Sequence, residues 1–188
     1  MINAERILHA LDRYLDHEVS LVIFGRAAIA LGFEDPPQAT TQTLDVDGII
    51  PVSQVAQFRE DGNFWDAQQE TNRELQKDGL YITHLFEADQ IFLRRDWEDH
   101  LVPVTRPSTR WLRLFRPATL DLILTKMMRG DDPQDMSDIH FLIARGQVTP
   151  AQLESALANA VIPDLMELRE AFERTKPLVR ALAKQAGY

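Results

Sequence analysis

Residues 21–51 constrain this chain more than any other part of it. Leu21-Val22-Ile23-Phe24 is a short apolar run that ends at Gly25-Arg26 and passes straight into Ala27-Ala28-Ile29-Ala30-Leu31-Gly32. Valine and isoleucine before a glycine read as a buried strand ending in a turn. The alanines and leucine after it favour a helix that starts at that turn. A polar connection follows, then Thr43-Leu44-Asp45-Val46-Asp47-Gly48-Ile49-Ile50-Pro51. Leu44, Val46 and Gly48 alternate with Asp45 and Asp47, so the period of two places both carboxylates on one face of a second strand. Two like charges one strand repeat apart repel unless a cation or solvent lies between them. A helix N-terminus directly after a glycine offers its N–H groups to an anion. One segment thus supplies a phosphate seat and a paired-carboxylate metal seat, which suits a nucleotide carrying Mg²⁺.

The rest of the chain reads as elements around that pair. Asn3 is placed to cap a helix carrying Ile7, Leu8, Leu11 and Leu15 at helical spacing. The first strand is expected over 18–24, a short helix over 26–31, a loop over 33–42 and the second strand over 43–50. Helices follow over 54–61 and from Asn63, as cap, through Lys77. Asp78-Gly79 marks a turn into a third strand over 80–87, with Tyr81, Thr83 and Leu85 on one side. Residues 91–93 read as a further short strand. Arg94, Arg95, Arg106, Arg110, Arg113 and Arg116 then make the third quarter the most basic part of the chain. Pro117 opens a helix over 118–129, Gly130-Asp131-Asp132-Pro133 breaks it, and another runs over 134–144. Thr149 and Gln152 form a capping box around Pro150, and a last helix starts at Pro163 with a bend near Pro177. The simplest architecture is α+β: a mixed sheet with helices over 1–116, then a helical region over 117–188 packed on it.

Composition sets outer limits. A chain of 188 residues, 45% hydrophobic, buries one substantial core and a small helical appendage. With 29 acidic against 20 basic residues the net charge is −9, which argues against a broad nonspecific nucleic-acid surface and leaves room only for a local basic groove. The absence of cysteine excludes disulfides and thiolate metal sites and fits a reducing cytosol. No apolar stretch is long enough to span a bilayer, and the early Glu5-Arg6 does not suit a secretory signal. A cytoplasmic protein is the expectation.

A strand, a glycine turn, a helix and then Asp-x-Asp on the next strand resemble the nucleotidyltransferase fold. The closer resemblance is to the bacterial branch that includes the abortive-infection, AbiEii-like toxins of toxin–antitoxin systems. Thr43, Asp45 and Asp47 match that branch's motif, while Thr41 occupies a position where it tends to carry arginine. Asp121-Leu122-Ile123-Leu124-Thr125-Lys126, followed by Asp135-Met136-Ser137-Asp138-Ile139, is similar to its helix with a lysine and the Asp-x-x-Asp segment after it. The landmarks span about residues 21–142. The resemblance implies Mg²⁺ or Mn²⁺ on Asp45 and Asp47 and an NTP as substrate. It implies phosphate contacts from Gly25, Arg26, Thr43 and Lys126, and a third carboxylate, for which Glu87 is the first candidate and Asp89 the next. A nucleotide monophosphate would pass to a protein or RNA hydroxyl, and an antitoxin would be the partner.

Each of these residues also has a plainer reading. Asp45 and Asp47 suit the polar face of an edge strand, and Lys126 suits a surface lysine. Asp135 and Asp138, spaced i,i+3, suit helix-N-terminal charges or arginine partners. Arg26 stands where many relatives have a small residue. It either grips phosphate through its planar fork or folds back over Asp45 and Asp47 in place of a metal. His84 lies where the fold often places its third carboxylate, which would leave the metal set incomplete. A degenerate nucleotidyltransferase fold acting as a binding module therefore stands beside the enzyme reading. A haloacid-dehalogenase-type phosphohydrolase is disfavoured, because its Asp-x-Asp loop follows a long apolar strand and 39–43 is polar.

Overall fold

The apolar run before Gly25 is a strand and the alanine-rich run after it a helix, as their composition predicts. The computed structural model describes residues 1–83 and 85–188. In chain order the first elements are α1 (Asn3–Tyr14), β1 (Val19–Phe24), α2 (Gly25–Gly32), α3 (Gln38–Thr41), β2 (Asp45–Ile50), α4 (Val55–Glu60) and α5 (Gly62–Leu75). Next come β3 (Tyr81–Ile82), β4 (Phe86–Glu87), β5 (Leu93–Arg94), β6 (Val102–Val104) and β7 (Leu112–Arg116). The last are α6 (Thr119–Lys126), α7 (Pro133–Gly146), α8 (Pro150–Asn159), β8 (Ala160–Val161) and α9 (Met166–Ala186). This is the expected α+β class, a mixed sheet with helices followed by a helical C-terminal region. Two compact units divide the chain: Met1–Glu87 with Leu101–Arg116, and Ala88–His100 with Pro117–Tyr188.

The first unit holds a sheet of order β3-β2-β1-β7-β6, with β4 also paired to β2. β1 and β2 are antiparallel neighbours, Phe24 opposite Asp47. β7 runs parallel to β1, Val22 beside Phe115, and β6 is antiparallel to β7. These two strands were hidden in the arginine-rich quarter. Leu112 and Leu114 alternate inward against exposed Arg113, but flanking arginines made the run read as a basic surface. On α1, Ile7, Leu8 and Leu11 are fully buried, and the helix packs on α5 and β2. Ile2, not Asn3, is its cap residue, with the Ile2 N–H donating to Glu5 Oε2 at 3.0 Å. Asp61, not Asn63, caps α5 by accepting the Phe64 N–H at 3.0 Å. Asp12 of α1 accepts the backbone N–H groups of Arg110, Trp111 and Leu112 at 2.9, 2.7 and 2.9 Å. The turn into β7 is thereby tied to the helix.

The third strand is not continuous over 80–87. Val46 pairs with Ile82 and Ile49 with Phe86, so three steps along β2 face four along the other chain. One extra residue breaks the ladder into β3 and β4, as a bulge does. Thr83 faces Asp47, whereas Leu85 packs where a side chain on Gly48 would lie. The expected common side for Tyr81, Thr83 and Leu85 therefore fails at the last of them. His84 lies outside the described residues. The outer edge of β3 is closed by α5: Asn72 donates to the Ile82 carbonyl at 3.0 Å and accepts the Ile82 N–H at 2.7 Å.

In the second unit β5 pairs with β8, Leu93 opposite Val161, so the short strand expected over 91–93 has its partner far along the chain. The capping box of Thr149 and Gln152 forms as read. Asp132 caps α7, which begins at Pro133, and α9 begins at Met166 and runs through Pro177. Asp121 is fully buried and accepts from Arg94 three times, from the backbone N–H, Nε and Nη2, at 2.9, 3.1 and 2.7 Å. Phe92 meets Phe172 edge to face at 5.6 Å. Among the described residues no helix is long and apolar enough to cross a membrane.

Candidate functional site

β1 ends in Phe24 and the chain turns at Gly25, whose φ of +65° lies in the left-handed region that L side chains rarely adopt. Gly25 is also the first residue of α2, so the turn aims that helix's first N–H groups past the end of the sheet. Because β2 is antiparallel to β1, its opening residues Asp45 and Asp47 come to the same end. The contact is close: a methyl on Gly25 would sit 3.0 Å from Asp47 Oδ2. Strand alternation puts Asp45 and Asp47 on one face, as expected, and both are half-buried.

Two threonines orient the pair. Thr43 Oγ1 donates to Asp45 Oδ1 at 2.7 Å, and Thr83 Oγ1 donates to Asp47 Oδ1 at 2.7 Å. Thr43, read as a phosphate contact, thus acts directly on a carboxylate. Thr83 was missed because only the register of β3 shows it: its N–H donates to the Val46 carbonyl at 3.0 Å, which sets it beside Asp47. The two carboxylates form a hard oxygen set of the kind that suits Mg²⁺ or Mn²⁺, and Mg²⁺ in particular is commonly held by one or two carboxylates together with substrate phosphates and waters. Among the described residues no group of three or more His, Cys, Asp and Glu side chains gathers around a common point.

Arg26 stays at the turn as the second residue of α2, whereas Glu87 and Lys126 lie elsewhere. Arg26 Nη1 donates to the Ala39 carbonyl on α3 at 3.3 Å. Glu87 pairs in register with Ile50, three residues along β2 from Asp47 and of opposite parity. It therefore belongs to the other face of the sheet, and its Oε1 accepts from Arg59 Nη2 at 2.9 Å. Lys126 is in the second unit and is not on a polar surface. It is 7% exposed, and its Nζ donates to Asp135 Oδ1 at 2.9 Å and to Asp138 Oδ2 at 2.8 Å. Arg129 Nε adds a 2.5 Å bond to Asp135 Oδ2. Burial pushes the Asp135 carboxyl up, but the Arg129 bond and the Lys126 ammonium outweigh it and hold the group below the usual carboxylate range. The Lys126-Asp135-Asp138 landmark is thus one buried ionic cluster. In the first unit Arg116 stacks over Phe33 at 4.2 Å, and burial brings its pKa down to about 10.

No curated protein and no solved structure matches this chain. The family model of a nucleotidyltransferase of unknown function (DUF6036) matches residues 2–173. With the Gly25 turn, the Asp45–Asp47 pair and a match over nearly the whole length, the chain belongs to this nucleotidyltransferase family.

Proposed function

We propose that the chain is a Mg²⁺-dependent nucleotidyltransferase that moves a nucleotide monophosphate from an NTP to a protein or RNA hydroxyl. The observation that carries this reading is the placement of Asp47 Oδ2 against the Gly25 turn, since nucleotidyl transfer needs the metal on the bound phosphates. Asp45 and Asp47 would hold the ion, which when bound offsets charge on the departing pyrophosphate. The α2 N-terminus receives the β- and γ-phosphates, and Thr43 and Thr83 keep the carboxylates turned toward them. The test is thermal stability with Mg²⁺ or Mn²⁺ and an NTP, because a ligand that binds only the folded state stabilises it. Wild type should gain stability and the Asp45→Asn, Asp47→Asn double variant should not; an equal gain in both refutes the site.

The similarity to AbiEii-like toxins supports a role as the toxin of a toxin–antitoxin pair. Induced expression should then arrest growth, co-expression of the neighbouring gene should relieve the arrest, and the double variant should be harmless. A second reading, a binding module that has lost catalysis, is favoured by one observation. The residue beside Asp47 on the next strand is Thr83, a hydroxyl where a third carboxylate would complete the set. Metal-dependent nucleotide binding without pyrophosphate release would establish that reading instead.

A further inference from the structure

Tyr81 opens β3 and is paired in register with Asp45. Partners in a parallel ladder project to the same side of the sheet, so this tyrosine stands on the face of the two aspartates. It is 44% exposed, and among the described residues no ring stacks on it and no side chain bonds its hydroxyl. It borders a groove of about 600 Å³ together with Gln69 and Arg73 of α5, Gln76 of the turn that follows it, and Gly79. Gly79 leaves the groove open, since an added Cβ there would meet nothing within 4 Å.

The sheet order β3-β2-β1 gives this groove a direction. The phosphate seat follows β1, the carboxylates stand on β2, and Tyr81 starts β3, on the opposite flank. Adjacent strands are about 4.8 Å apart, so an α-phosphorus held over β2 has the Gly25 turn on one side and Tyr81 on the other. In an in-line displacement the entering oxygen and the departing pyrophosphate occupy opposite sides of that phosphorus. Resting on the nucleotidyltransferase reading, we infer that the Tyr81 groove is the acceptor subsite and that it takes the unpaired terminal nucleotide of an RNA strand. The terminal hydroxyl oxygen forms a bond to the α-phosphorus, the bond from that phosphorus to the α,β-bridging oxygen breaks, pyrophosphate leaves with the electron pair, and the hydroxyl proton passes to water.

The lining favours a nucleobase over a peptide. An exposed ring offers a stacking platform for any base. Gln69 and Gln76 each carry a donor and an acceptor that match base edges. Arg73 supplies a cation, although Glu70 shares it at 2.6 Å. A single terminal nucleotide needs few phosphate contacts, which is compatible with a chain of net charge −9.

The test measures fluorescence anisotropy of single-stranded oligoadenylate, labelled at its 5′ end, with wild type, Tyr81→Ala and Tyr81→Phe. Mg²⁺–NTP binding is followed in parallel by calorimetry. Tyr81→Ala should weaken oligonucleotide binding about tenfold or more, Tyr81→Phe should restore most of it, and Mg²⁺–NTP affinity should be the same in all three. Equal oligonucleotide affinity in wild type and Tyr81→Ala overturns the acceptor subsite even when Mg²⁺–NTP binds. So does nucleotide transfer to a protein hydroxyl with no oligonucleotide binding. Failure of wild type to bind Mg²⁺–NTP instead overturns the nucleotidyltransferase reading on which the subsite rests.

Discussion

Asp47 Oδ2 lies 3.0 Å from the point where a side chain on Gly25 would begin. Two residues 22 positions apart in the chain thus share one spot at the end of the sheet, and a side chain on the glycine would have to push the carboxylate aside. Gly25→Ala should cost about 1–2 kcal/mol, from the left-handed φ and from displacement of the carboxylate, and should abolish the metal-dependent rise in Tm. Gly62→Ala, where an added Cβ meets nothing within 4 Å, is the control. Calorimetric melts with and without Mg²⁺–NTP check both; a full metal response in Gly25→Ala would contradict the arrangement.

Thr83→Val removes the 2.7 Å hydrogen bond to Asp47 Oδ1 and keeps the side-chain shape. The carboxylate loses the bond that fixes its orientation. Groups that orient a metal ligand typically carry about tenfold or more in affinity, so Mn²⁺ affinity at neutral pH should fall about tenfold. Calorimetric titration of Mn²⁺ into both proteins reads this directly, and equal affinity would contradict the orienting role.

Lys126→Met leaves Asp135 and Asp138, each 2% exposed, without their shared ammonium. Removing one partner from a buried ionic group typically costs about 3–5 kcal/mol, so the variant should melt well below wild type by circular dichroism. Asp135 is held below its ordinary pKa of 3.8. Its contribution is complete above that value and is lost as the pH falls through the lower folded value. Wild type should therefore lose stability below about pH 4, and Lys126→Met should lose less over the same interval, because the Lys126 part of the lowering is gone while the Arg129 bond to Asp135 remains.

Asp12→Ala should release the turn before β7. Burial raises the Asp12 carboxyl, but the three backbone N–H bonds from 110–112 outweigh it and leave the group lowered from 3.8. The expected cost is on the order of 2 kcal/mol, with fast amide exchange at Trp111 and Leu112 in the variant. Unchanged protection of those two amides would show that the loop is held by other means.

Asn72→Ala uncovers both backbone groups of Ile82 on the outer strand. An unpaired edge is a template for intermolecular pairing. The variant should lose about 1–2 kcal/mol and self-associate at concentrations where wild type stays monodisperse in light scattering.

Local pattern carried the parts of this protein whose causes are local. The strand-turn-helix around Gly25, the shared face of Asp45 and Asp47, the buried stripe Ile7-Leu8-Leu11 and the capping box at Thr149 all follow from spacing of 2 or 3.6 residues and from backbone chemistry within a few positions. Tertiary structure decided everything that depends on register or long-range pairing. It placed Leu112–Arg116 in the sheet beside β1, where Arg113 faces outward while Arg116 shares the buried face of Leu112 and Leu114 and stacks over Phe33. Through the Val46–Ile82 register it set Thr83 beside Asp47, and by a single extra residue beyond that pair it sent Glu87 to the opposite face. It also buried Lys126 between two aspartates 9 and 12 residues away. A one-residue offset along a strand reverses every side chain beyond it, and no local composition records that offset. The charge of a lysine is the same in water or in an ion cluster until packing removes the water around it.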